Sequence, residues 1–303
     1  MRRKAVAMTM GDLNWLAERF EENRSQLRAI AYRMLGSLSE ADDAVQESWL
    51  RLSRTGADGI ENLGGWLTTV VARVCLDMLR SRQLHREESL DAQISAAAVP
   101  RDAAPDPERE AVLADSVGLA LLVVLETLAP DERLAFVLHD MFAVPFEEIA
   151  AIVGRSPDSA RQLASRARRR VQGSSTNRKA DLASQRKVVD AFIAAARSGD
   201  LEGLLAILQP DVVRGADRVV IPPNGSEIRG ATNVAKGALG GARRGGIEVH
   251  LMLVNGAVGA IVAPHGHLSM ALTFEIHEGK IAELAVIADP AVLSKLDLAV
   301  LDD

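Results

Sequence analysis

Residues 145–172 read PFEEIAAIVGRSPDSARQLASRARRRVQ, and this stretch decides how the middle of the chain folds. Ile149, Ile152 and Val153 share one face at helical spacing, which predicts a short amphipathic helix ending at Gly154. Gly154 is free to take the left-handed conformation, and Ser156-Pro157 offers an N-cap followed by a proline at the first helical position. On the next helix Ala160, Leu163, Ala164 and Ala167 form the inner face. Ser159, Arg161, Gln162, Ser165, Arg166, Arg168 and Arg169 lie on or near the others. Two helices joined by a tight turn, the second rich in arginine, have the layout of a DNA-reading helix-turn-helix. Small and amide side chains near the second helix's start would reach base edges, and arginines would pair with guanine or clamp phosphates. A helical hairpin with a solvated basic face is the competing reading of the same residues.

Composition narrows the class. The chain has 303 residues, 48% of them hydrophobic, which is enough for two or three packed domains. No apolar run is long enough to span a bilayer, and the basic start Met1-Arg2-Arg3-Lys4 leads into no signal-peptide core, so a cytoplasmic protein with no membrane partner is expected. The single cysteine, Cys75, reads as a buried structural thiol. A net charge of −6 argues against a protein that coats nucleic acid, because unspecific binding rests on a surplus of Lys and Arg. Basic charge is local instead: from Arg155 to Lys179 one acid, Asp158, faces eight basic residues. DNA contact is therefore confined to patches, with a protein partner supplying further affinity.

The segment from Asn14 to Leu84 shows helical patterns broken at Gly36 and across 55–65. An Ala/Pro/Asp-rich stretch containing AAAVPRDAAPDPE reads as an extended linker. Helices resume at Glu108 and run to Val171, with Pro130-Asp131-Glu132 opening one of them, and a Gly-Ser-rich hinge follows. Residues 182–208 are predicted to form one or two helices broken at Ser198-Gly199-Asp200. The apolar runs 218–221, 247–254, 257–263, 268–276 and 280–287 read as strands, joined by the turn signals Asn255-Gly256, Pro264-His265-Gly266 and Glu278-Gly279-Lys280. Helices first and an antiparallel sheet after make an α+β domain.

Two stretches carry the argument further: SEADDAVQESWLRL (39–52) followed by WLTTVVARVCLDMLR (66–80), and the helix-turn-helix. Together, in this order and with a linker between them, they resemble a bacterial extracytoplasmic-function sigma factor. The last part of the chain is similar to the SnoaL-like cone domain that one group of these factors carries as a C-terminal extension. The resemblance implies a multidomain chain: an all-α region 2 domain over 12–90, a linker over 91–110, an all-α region 4 domain with the helix-turn-helix over 111–172, a hinge over 173–181, and an α+β SnoaL-like cone domain with a curved antiparallel sheet over 182–303. It implies promoter-specific transcription initiation with core RNA polymerase and promoter DNA as partners, regulated by the C-terminal domain, which leaves room for a small-molecule ligand.

Site residues follow from the same resemblance. Asp42, Asp43, Gln46 and Glu47 fall on the family's docking surface for core polymerase, with Trp49 beside them; a solvated helix face is the alternative for the charges, and Trp49 and Leu50 are expected to pack inward. Asn62, Arg73, Asp77 and Arg80 fall in the region that melts and reads the −10 element, where a base taken out of the stack exposes its Watson–Crick edge. Arg73 departs from the asparagine common in the family. Ser159, Arg161, Gln162, Ser165, Arg166 and Arg169 fall on −35 contact positions, and Asp158 is expected to cap the helix.

The third domain departs most from its group. Its linker lacks the aromatic-proline motif, and two later signatures read RGADRV (214–219) and ADPAVL (288–293). SnoaL-like folds include cyclases and isomerases, and His250, His265, His267, Glu275 and His277 are the side chains that could serve such chemistry. They lack convincing metal-ligand spacing. The reading therefore assigns no catalytic residue, metal or cofactor. Its alternative is a DNA-anchored small-molecule-binding protein or enzyme with cyclase or isomerase chemistry.

Overall fold

A computed structural model describes residues 10–56, 60–91, 118–173, 179–217, 227–242 and 249–301. The AAAVPRDAAPDPE linker, the start of the 111–172 segment and the strand-like run 218–221 lie outside them. Among the described residues, 10–91 and 128–167 group into one compact unit, and 118–127 and 168–301 into a second.

Three helices begin the first unit: α1 (Met10–Leu35), α2 (Leu38–Thr55) and α3 (Leu63–Asp91). α1 buries Phe20, Leu27, Ile30, Ala31 and Met34, and α2 buries Ala41, Ala44, Val45, Ser48 and Leu52, each set spaced by three or four residues along one face. The one hydroxyl on that face of α2 donates to the Ala44 carbonyl at 2.8 Å, so its burial leaves no bond unmade. Leu67, Val71, Cys75 and Leu76 complete the core from α3. Arg28 ties α1 to α2 through Asp42 at 2.6 Å, and Arg82 ties α3 to Glu40. Trp49 is half-buried with its ring 5.2 Å from that of Phe20, but Leu50 is exposed, contrary to the expectation that both pack inward. One residue on from Trp49, the helix has already turned by about 100°.

The helices that follow are α4 (Leu119–Thr127), α5 (Pro130–Phe136), which runs into a π-helical turn (Val137–Met141), α6 (Phe146–Val153) and α7 (Pro157–Gln172). The second unit continues with α8 (Lys179–Ser198), α9 (Leu201–Ile207), β1 (Leu208–Ala216), β2 (Ile228–Arg229), α10 (Ala231–Ala242), β3 (Val249–Val254), β4 (Ala257–Val262), β5 (Met270–His277), β6 (Lys280–Ile287), α11 (Pro290–Leu293) and β7 (Leu298–Ala299). This is the curved α+β arrangement expected of a cone domain. Strand order is β2-β1-β6-β5-β4-β3-β7, antiparallel throughout except for the parallel pair β1–β6. Asn255-Gly256 and Glu278-Gly279 have positive φ at both residues and close the β3–β4 and β5–β6 hairpins, as the two-residue turn signals predict.

Three boundaries differ from expectation. The predicted helix through 208 stops at Ile207, and a strand occupies 208–216, where Pro210, Asp211 and Gly215 hide any alternation and the parallel partner is some seventy residues away. α10 lies in ATNVAKGALGGA, whose three glycines weaken the helical signal; burial of Val234 and Ala235 holds it. α8 begins inside the predicted 173–181 hinge.

The sheet is covered on both faces. Leu253, Val258 and Ala260 join Val189, Phe192, Leu204 and Phe274 in one cluster, whereas Met252, Val254 and Ile261 point the other way into a second. Val123 and Val124 of α4 belong to that second cluster, packed with Ala263, Ala271, Leu293 and Leu298. Polar contacts flank the seam: Glu126 of α4 meets His267 at 2.7 Å, and Val300 donates its N–H to the Val171 carbonyl at the end of α7 at 2.9 Å. No helix of the described residues is long and apolar enough to cross a membrane.

Two outcomes check this packing. Val124→Ala should destabilise the chain by about 2 kcal/mol, from two lost methyl groups and the cavity they leave, in urea unfolding followed by circular dichroism; an unchanged midpoint would contradict the seam. Cys75 is buried, and desolvation pushes its thiol up to about 12. The neutral thiol therefore favours the folded state until pH rises through that value. At pH 8 only on the order of one thiol in 10⁴ is thiolate, so an aromatic disulfide reagent should label Cys75 only at the rate at which the helices open. Immediate labelling of the native chain would refute the burial.

Candidate nucleic-acid interface

Gly154 ends α6 at φ 70° and ψ 37°, and its N–H bonds back to the Ala150 carbonyl. Ser156 then caps α7, its hydroxyl accepting from the Ser159 N–H at 3.2 Å, and Pro157 is the first helical residue. The N-cap read at Ser156 is thus formed, whereas Asp158, also expected to cap the helix, takes Arg161 Nη1 at 2.7 Å. Ser156 stands just before the first helical residue, the place from which a side chain reaches the first free N–H groups of a helix.

Ala160, Leu163, Ala164 and Ala167 are buried, so α7 turns Arg161, Gln162, Arg166 and Arg169 outward, with Ser159 and Ser165 at the edge of the exposed face. Arg161 also lies over the Phe146 ring, 5.2 Å from its centroid, which together with Asp158 holds the guanidinium near the helix start. Asp158, Arg161, Gln162 and Ser165 line one open groove. Arg166 is engaged differently: its Nε donates to Glu132 of α5 at 2.7 Å.

On α3, Arg73, Asp77 and Arg80 are exposed at i, i+4 and i+7, which puts them on one stripe. Asn62 stands apart from that stripe. Its side-chain oxygen accepts the Gly65 N–H at 3.0 Å and caps α3, and a Cβ on Gly65 would come within 2.8 Å of its amide nitrogen. The sequence signal for this was present, an Asn followed by small residues and a helical pattern. Both cations of the stripe, though exposed, hold a partner on a neighbouring element. Arg80 Nη2 donates to Asp131 at 2.7 Å, and Arg73 Nη2 donates to the Ala151 carbonyl of α6 at 3.2 Å. Sequence reasoning gave Asp131 and Glu132 only the role of opening a helix; their part as arginine acceptors depends on tertiary proximity that no local pattern encodes.

The acidic face of α2 carries its groups at i, i+1, i+4 and i+5. Asp43 and Gln46 are exposed, Asp42 pairs with Arg28, and Glu47 pairs with Arg51 at 2.9 Å. Two of the four charges and amides are thus already partly compensated, and Asp43 and Gln46 form the more open half.

The side chains weighed for chemistry in the C-terminal domain do not converge. His250 lies on β3 opposite Ile261, which in turn pairs with Ala271 of β5, whereas His277 closes the far end of β5 against Lys280. Six residues of strand separate Ala271 from His277, roughly 20 Å at about 3.3 Å per residue. His267 is committed to Glu126, Glu275 and His277 are exposed, and the side chain of His265 lies outside the described residues. Among the described residues no group of three His, Cys, Asp or Glu could hold a metal ion. The two departures from the group's signatures meet each other: Asp217 Oδ2 accepts the N–H groups of Ala288 and Asp289, and Asp289 caps α11.

Comparison with known proteins fits this arrangement. Residues 19–85 match the model of Sigma-70 region 2 and residues 118–171 that of Sigma-70, region 4. The chain is 38% identical over 284 residues to the ECF RNA polymerase sigma factor SigJ of Mycobacterium tuberculosis, covering 89% of this chain and 91% of that one. It is 34% identical over 274 residues to the probable ECF RNA polymerase sigma factor SigI of the same species, covering 90% and 93%. The crystal structure of M. tuberculosis SigJ matches 91% of this chain and 97% of its own at 33% identity, with a TM-score of 0.45. With both sigma regions in order and relatives matched over nearly their whole length, the chain belongs to the extracytoplasmic-function RNA polymerase sigma factors.

Proposed function

We propose that the chain is a dissociable promoter-specificity subunit: it docks on core RNA polymerase through the acidic face of α2, reads the −35 element with α7 and the −10 element with α3, and is regulated by its own C-terminal domain rather than carrying out catalysis. The observation that supports this most is the outward face of α7, where Asp158, Arg161, Gln162 and Ser165 line one groove on a capped helix set by a left-handed turn. Asn and Gln suit adenine, arginine suits guanine, and hydroxyls suit either, so this is a face for reading bases as well as phosphates. A net charge of −6 fits a chain that depends on the polymerase for the rest of its affinity, and the promoter DNA it would read puts the proposed work in the cytoplasm.

The seam supports the regulatory reading. α4 lies inside the stretch matched to region 4, yet its Val123 and Val124 are core residues of the sheet domain. A ligand that shifted β3 or β4 would move α4 with them, and chain continuity carries that shift to α5. The enzyme alternative has less support, because Glu275 and His277 lie toward the far end of β5 from His250, and His267 is paired with Glu126.

Run-off transcription with purified core polymerase tests the assignment. Arg161→Ala should cost on the order of 1–3 kcal/mol at the chain's own promoters, a roughly 5- to 150-fold loss, if the side chain reads a base, and less with a reduced salt slope if it touches phosphate. Parental rates would mean that α7 does not read the promoter. Separately, Asp43→Lys with Glu47→Lys reverses the charge offered to a basic partner, and the folded double variant should fail to retain core polymerase in a pull-down. Retention at the parental level would remove α2 as the docking surface.

A further inference from the structure

Two neighbouring carboxylates at the start of α5 gather three arginines. Asp131 accepts Arg80 Nη2 of α3 at 2.7 Å on one oxygen and Arg155 Nη2, beside the helix-turn-helix turn, at 2.9 Å on the other. Glu132 accepts Arg166 of α7 at 2.7 Å. The arginines remain half-exposed while Asp131 and Glu132 keep only 16% and 13% of their side-chain surface, so the carboxylates are the fixed part and the cations reach in. The groove they share is a cleft of about 300 Å³.

Around this point α1 and α3 meet α5, α6 and the π turn partly through guanidinium groups. Arg73 donates to the Ala151 carbonyl, the buried Arg133 donates to the Arg33 carbonyl at 3.1 Å, and Arg33 lies 5.3 Å from the Phe142 ring centroid. Such polar contacts are the exchangeable part of an interface, since contacts between domains that move are more polar than permanent ones. The same guanidinium fork that takes a carboxylate takes a DNA phosphate.

We propose that Asp131 is an autoinhibitory latch: in the free chain it stands in for DNA phosphate, holding the Arg73–Asp77–Arg80 stripe of α3 against the helix-turn-helix, and it must release Arg80 before the −10 face is available. This rests on the reading that α3 and α7 face promoter DNA. Asp131 is the candidate because its carboxylate joins Arg80 of α3 to Arg155 beside the turn, whereas the Glu132–Arg166 pair lies within the stretch matched to region 4. A competent state that is a minority of the free chain lowers apparent affinity by its fraction, so one removable contact tunes activity without touching the DNA-reading groups.

The test uses the full chain with spin labels on cysteines introduced at Arg54 and Glu147, both exposed, while buried Cys75 stays unlabelled. Pulsed dipolar spectroscopy should give one short distance for the parent and for Asp131→Glu, and a broadened, longer distribution for Asp131→Asn and Arg80→Ala. With limiting core polymerase, Asp131→Asn should raise transcription roughly 3- to 10-fold, Asp131→Glu should return it to the parental rate, and Arg80→Ala should lower it, since it opens the latch but removes a promoter contact. A parental distance in Arg80→Ala, whose exposed side chain is dispensable for folding, overturns the latch. So does an opened Asp131→Asn that transcribes no faster. If instead Arg80→Ala and Arg161→Ala both transcribe like the parent, the promoter reading beneath the proposal has failed, and the distance data still say whether the contact exists.

Discussion

The left-handed residue at Gly154 sets the direction in which α7 leaves α6, and with it the face on which the proposed −35 contacts stand. At φ 70° a side chain would be strained, and glycine removes that strain, so α6 stops there and α7 starts three residues later, at Pro157, under the Ser156 cap. Which side of α7 is buried is then fixed by Ala160, Leu163, Ala164 and Ala167, and three of these four are alanines. Small residues allow close packing while committing little surface to it, so the outward face is left to serines, glutamine and arginines. The turn, the cap and the alanine face agree with one another, and that agreement across levels is what makes the segment readable.

A second constraint acts in the C-terminal half. The sheet has apolar side chains on both faces, and a face left open to water would be an exposed patch. Helices α8 to α10 cover one face, and α4 contributes Val123 and Val124 to the other. A helix matched to the region 4 model thus serves the core of the sheet domain. The division of the chain by sequence family and its division by packing are therefore different, and removing the C-terminal domain would expose α4 as well as relieve any control. Point substitutions are the cleaner instrument.

Much of this was legible in the sequence because it is local. The helix-turn-helix, the caps at Ser156 and the break at Ser198-Gly199-Asp200, the two hairpin turns and four of the strands are each announced within a few residues. The chain's family could be named from two quoted motifs. What escaped was non-local. β1 depends on a parallel partner far along the chain, α10 is a glycine-rich helix held by burial, and Asp131 and Glu132 acquire their meaning only from arginines that the fold brings to them. Asn62 shows the reverse case, since a residue expected to meet a base carries a capping bond that the sequence already permitted. The candidate histidines illustrate why spacing alone says little about chemistry: strand register, which no motif gives, sets them far apart.

The most direct measurement of the central claim is the set of transcript 5′ ends made from genomic DNA in vitro by purified core polymerase, with and without the full chain. The account predicts a new set of start sites that share two short sequence elements at one fixed spacing, matching two DNA-reading helices carried by one subunit. An unchanged set of start sites, with the chain folded and present in excess, would contradict it.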